Sequence, residues 1–86
     1  MNHSTYRQLQ SQLKEYRNRG IIPACNVKLN SCRAVLETAI IACIKFERGL
    51  CQRKLELNPN AAKSLRTEWT YWVGLNTRKL DLLQVA

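Results

Sequence analysis

Residues 32–83 read CRAVLETAIIACIKFERGLCQRKLELNPNAAKSLRTEWTYWVGLNTRKLDLL. In the first half, apolar or small residues recur at Cys32, Leu36, Ala39, Cys43, Phe46, Leu50 and Leu57. Steps of four and three mark one face of an α-helix. Asn58-Pro59-Asn60 interrupts the pattern, which resumes at Ala62, Leu65, Trp69, Trp72, Asn76, Leu80 and Leu83. Two helices that need each other's apolar seams, joined by so short a turn, are expected to be antiparallel neighbours. The seam also assigns Trp69 and Trp72 to packing. Gly49 costs roughly 1 kcal/mol relative to alanine inside a helix. Leu50 nevertheless keeps the phase of Cys43 and Phe46, so the spacing predicts one helix over 31–57, capped by Asn30-Ser31. Asn58 is then expected to cap, and Pro59 to open, a further helix over 59–83.

Toward the N-terminus, Tyr6, Leu9, Leu13 and Tyr16 repeat at three- and four-residue steps. They predict a helix over 5–19, capped by Ser4 or Thr5 and ended by Gly20, where a left-handed residue costs glycine nothing. Ile21 to Leu29 has no helical period, and Pro23 biases Ile22 toward an extended conformation. Residues 20–30 therefore read as an extended linker. The expected fold is all-α and a single domain: a short N-terminal helix, the linker, then a long antiparallel helical hairpin. This three-helix arrangement is also expected to dimerise.

At 86 residues and 10.0 kDa the chain lies near the size at which one core barely suffices. Its longest apolar run, Ala39 to Ile44, is far short of the ~20 residues that span a bilayer. Residues 1–5 lead into polar sequence without the apolar stretch of a secretory signal. A cytoplasmic, reducing location is expected. The cysteine spacing agrees: Cys25, Cys32, Cys43 and Cys51 match no zinc-ligand pattern. Cys32 and Cys43 would sit ~16 Å apart along a helix, too far for a disulfide. They read as reduced, buried thiols, with Cys25, ahead of the long helix, as the exception. Enzyme chemistry has little support. His3 is the single histidine, the six carboxylates form no helical i,i+3 or i,i+4 pair, and Gly20, Gly49 and Gly74 are isolated. No catalytic residue, cofactor, metal or small-molecule substrate is expected.

The formal net charge is +8, with pI about 9.8, which favours an anionic partner, either nucleic acid or an acidic protein surface. Residues 1–30 hold Arg7, Lys14, Arg17, Arg19 and Lys28 against Glu15 alone, giving +4; residues 31–86 supply the other +4 over nearly twice the length. Lys28 and Arg33 bracket the start of the second helix, where exposed N–H groups add attraction for phosphate. Ile41 and Tyr71 fall well off the heptad seam, Tyr71 by about 160°. Both are expected at a protein interface, such as that of a homodimer.

Leu9 to Lys14 (LQSQLK), then Arg19-Gly20-Ile21, then Arg33 to Ile40 (RAVLETAI) resembles the SAP-type (SAP/HeH-like) helix–extended–helix motif over about residues 5–44. That motif pairs a Leu-x-x-x-Leu-Lys helix and an Arg-Gly-Leu/Ile stop with a second helix opening on a basic residue three before a leucine. The resemblance implies DNA binding through basic residues of the linker and of the second helix's start. The matching positions are Lys28 and Arg33, with Arg17 and Arg19 at the preceding turn. The leading expectation is a small basic helical nucleic-acid-binding protein contacting mainly phosphates, through Lys14, Arg17, Arg19, Lys28 and Arg33. The alternative is a regulatory protein-interaction module that uses Ile41 and Tyr71 and binds no nucleic acid.

Overall fold

The computed structural model describes residues 5–21 and 26–84. Expectations for His3, Ser4, Ile22, Pro23 and Cys25 fall outside these residues. The described residues form three α-helices and no strand: α1 (Tyr6–Asn18), α2 (Arg33–Leu57) and α3 (Lys63–Gln84). No helix among them is long and apolar enough to cross a membrane.

Local chemistry sets the ends of α1. Thr5 Oγ1 accepts from Gln8 N–H at 3.2 Å, and Thr5 N–H donates to Gln8 Oε1 at 2.9 Å, a reciprocal capping box. At the other end Gly20 N–H donates to Arg17 O and Ile21 N–H to Tyr16 O, both at 3.0 Å. This pair of bonds is a Schellman motif, and it needs the positive φ of Gly20, +74°.

α2 runs through Gly49 without interruption, but starts at Arg33 with Cys32 in the cap position instead of Ser31. The third helix also starts later than expected. Asn58 closes α2: both its N–H (3.0 Å) and its Nδ2 (2.9 Å) donate to Lys54 O. The chain turns next, with Ala61 N–H on Asn58 O at 3.1 Å, so Pro59 lies in the turn and α3 opens at Lys63. Pro59 still contributes, because its carbonyl accepts Arg66 Nη1 at 2.9 Å.

α2 is the central element. It packs against both α3 and α1, more extensively against α3, while the backbones of α1 and α3 stay apart. The core draws Leu9, Leu13 and Tyr16 from α1, Leu36, Ala39, Ile40, Cys43 and Ile44 from α2, and Leu80 from α3. Each large apolar side chain taken fully from water contributes about 2 kcal/mol.

Helical phase divides the surface of α2 into two faces. Leu36, Ala39, Cys43 and Glu47 share the face toward α1, whose Arg19 reaches Glu47. Ile41 and Arg48 are seven residues apart and share another face, from which Arg48 Nη1 donates to Thr77 Oγ1 of α3 at 3.2 Å. The single stripe in the sequence therefore belongs mainly to α1, and Ile40, Ile41 and Ile44 widen it toward α3. Because α1 stops level with Glu47, the rest of the stripe is poorly covered. Phe46 is 38% exposed and Leu57 72%, with Leu65 of α3 at 44%. Trp69 and Trp72 are half-buried, and no residue from 48 to 75 is fully buried. The cysteines differ accordingly: Cys43 is buried, Cys51 half-buried and Cys32 exposed.

Candidate nucleic-acid interface

The returning linker lies along α1, held by three side chains of one helical stripe. Tyr6 Oη donates to Ser31 O at 2.8 Å, Gln10 Nε2 donates to Leu29 O at 3.0 Å, and Arg17 Nη2 donates to Val27 O. Positions 6, 10 and 17 fall within about 40° of one another around a helix. The accepting carbonyls are at 27, 29 and 31, but the segment is not the extended one expected: Ser31 N–H donates to Lys28 O at 3.1 Å, so residues 28–31 close a β-turn. Val27 and Leu29 are half-buried against the core, while Lys28 and Asn30 are exposed.

Arg7 and Lys14 lie one heptad apart on the solvent side of α1, next to the ladder stripe and about 10 Å apart along the axis. No side-chain hydrogen bond or ion pair engages Arg7, Lys14 or Lys28 among the described residues. Glu15, the one carboxylate of this region, lines a groove along α1 toward the end of α3, and Arg7 lines the same groove. That groove encloses about 770 Å³ and is floored by Ile40, Ile44 and Tyr16.

The other basic candidates are engaged within the chain. Arg17 holds the linker carbonyl of Val27. Arg19 forms an ion pair with Glu47, and its guanidinium carbon lies 5.6 Å from the centre of the Tyr16 ring. Arg33 Nε donates to Glu37 Oε1 at 2.9 Å, one turn along α2. The start of α2 has no side-chain cap. Of the interface candidates, Tyr71 is exposed and stands edge-on to Trp72 at 5.9 Å, whereas Ile41 is half-buried against the core.

Of two buried polar residues, Glu47 escapes the sequence reading, whereas Asn76 already stands in the α3 stripe. Glu47 of α2 and Asn76 of α3 are both buried. Glu47 Oε1 and both amide atoms of Asn76 have no partner among the described residues. Their signal was phase: Glu47 follows Cys43 by four residues, and Asn76 sits on the α3 seam.

The titration of Tyr16 is shifted. Burial pushes its hydroxyl above the ordinary tyrosine value, the nearby Cys43 and Glu15 add to the rise, and Arg19 opposes it. A raised folded-state value means that the unfolded chain loses this proton first. Stability is then whole below about pH 10 and falls as pH rises through the folded value. Tyr16→Phe is expected to flatten this alkaline loss in urea melts taken across that range. An unchanged slope would show that Tyr16 does not cause it.

Among the described residues no three His, Cys, Asp or Glu side chains cluster to hold a metal ion. Comparison with protein-family models, with curated proteins and with solved structures finds no match.

Proposed function

We propose that the protein binds nucleic acid through its phosphate backbone, using the α1–linker face, with α2 and α3 as an antiparallel hairpin scaffold. The observation that carries the reading is the side-chain ladder from Tyr6, Gln10 and Arg17. It pins the linker to α1 and leaves Lys28 exposed on the segment that α1, with Arg7 and Lys14, holds. Three cations held on rigid elements, without internal partners, suit a row of phosphates better than cations on a mobile tail. Arg33 and the uncapped start of α2 continue this basic surface, which corresponds to the part of a SAP-like motif that meets DNA. Arg17 and Arg19 act as positioning residues, one fixing the linker and the other fixing α1 on α2.

Lys14→Ala and Lys28→Ala test the proposal. Each is expected to weaken binding to duplex DNA by several-fold and to reduce the salt slope by about one unit, on every sequence alike. Both positions are exposed, so the urea midpoint should stay within ~0.5 kcal/mol of the parent. Wild-type affinity in both variants, on DNA and RNA, would place the function elsewhere.

A further inference from the structure

The groove between α1 and the end of α3 has a divided lining. Its α1 wall is polar, with Gln8, Gln12 and Glu15, and its α3 wall brings Lys79, Leu82 and Leu83. The three α1 residues fall within about 60° of one another around the helix. Ile40 and Ile44 beneath are sealed at 1% exposed, so the apolar surface open to a ligand is mainly that of Leu82, 61% exposed. An acyl chain or an apolar helix finds too little to bury there. A flat ring with polar edges suits the groove better. We propose, building on the phosphate-backbone reading, that the groove takes one unpaired base of a single-stranded nucleic acid, a base that carries an exocyclic amino group.

Each group has a part. Gln12 makes no side-chain hydrogen bond among the described residues, so its amide is free to donate and to accept. Gln8 Oε1 accepts Thr5 N–H in the capping box, which leaves Nε2 as a donor. Glu15 forms no ion pair among the described residues, and a carboxylate only accepts. It therefore repels a phosphate from the groove but accepts from an amino group, such as N4 of cytosine or N6 of adenine.

Phosphates are left to Arg7 and Lys79, the groove's cations without an ion-pair partner among the described residues. Arg7 also shares the stripe of Lys14, so a strand that follows these cations passes the groove. The ring itself lies on Leu82 and Leu83, as extruded bases lie on apolar or aromatic side chains. At about 770 Å³ the groove is within the range of small-molecule sites, with room for a base and its sugar. Duplex DNA cannot use it, because stacked neighbours cover both faces of every base.

Fluorescence anisotropy with oligo-dC and oligo-dU of equal length, at neutral pH, tests the assignment. The two probes share a backbone and ring size and differ at the base edge. Oligo-dC is expected to bind about tenfold more tightly at ~150 mM salt. Glu15→Gln should bring that ratio to about one, because an amide meets an amino group and a carbonyl equally well. Leu82→Ala, at a mostly exposed position, should weaken binding of both single strands several-fold and leave duplex affinity and circular dichroism unchanged. Equal affinity for the two probes, or a Leu82→Ala chain that binds single strands like the parent, would overturn the groove assignment while duplex binding and its salt slope still stand. A chain that binds no probe at ~50 mM salt would sink both readings together.

Discussion

Replacing Arg19 with methionine is expected to destabilise the protein by about 3 kcal/mol, far more than loss of a surface ion pair would. The reason lies with its partner. The Glu47 side chain is only 10% exposed, and Arg19 supplies its one bond, to Oε2; Oε1 already has none. Removing the guanidinium strands a buried carboxylate one turn on from Cys43 and Ile44, and the chain must either keep that charge or protonate it. The Arg19 side chain is 40% exposed, which holds the figure at the lower end of the range for buried pairs. The loss should also be specific to the pair. Combining Arg19→Met with Glu47→Leu should recover most of it, because no buried charge remains. Urea unfolding of the two single variants and the double variant measures this. If Arg19→Met costs less than ~0.5 kcal/mol, the pair behaves as an ordinary surface contact and does not anchor α1.

Asn76→Leu is expected to stabilise the protein by about 2 kcal/mol and to raise Tm by roughly 10 °C. Asn76 is fully buried on the α3 seam, with both polar atoms of its amide unpartnered among the described residues. Desolvating such an amide without replacing its hydrogen bonds costs about 1–3 kcal/mol. Leucine has a similar volume and no polar atom, so the substitution removes that cost and adds apolar burial. Thermal and urea melts read the change. A destabilised Asn76→Leu would mean that the amide makes bonds worth more than its desolvation. The two effects are opposite in sign although Glu47 and Asn76 belong to the same core, because Glu47 already has a partner to lose.

Periodicity and capping chemistry made three helices legible in the sequence. Thr5 and Gln8 form a capping box, and Gly20 is a small residue at the end of an amphipathic run. Leu50 holds the phase of Cys43 across Gly49, where α2 continues. Partner choice was less legible. A stripe states which side of a helix is apolar but not which neighbours cover it, so the contact of this stripe with α1, at Cys43 and Glu47, could not be read from it. The length of α1 decides the rest: the helix ends at Asn18, and Phe46 and Leu57, in phase with the buried residues, stay exposed. Pro59 suited a helix start by residue type, but Asn58 binds back to Lys54 and the intervening turn delays α3 to Lys63.

At the candidate site, charge density picked out the N-terminal third but did not separate cations by task. Nothing local distinguishes Arg17 and Arg19 from Lys14 and Lys28. Their different fates depend on Val27 and Glu47, contacts 10 and 28 residues away in the chain. The ladder was equally hidden, because Tyr6, Gln10 and Arg17 share no chemistry beyond a donor that reaches a carbonyl. The linker was expected to be extended, whereas its last residues close a turn, with Ser31 N–H on Lys28 O.

The most direct test is a salt titration of the intact chain with labelled duplex and single-stranded probes, followed by fluorescence anisotropy. With Arg7, Lys14 and Lys28 as the phosphate contacts, log K on duplex should fall linearly with log salt, with a slope of about −3. The same slope is expected on unrelated sequences. Absence of binding to any probe at ~50 mM salt, where phosphate contacts are strongest, would contradict the account.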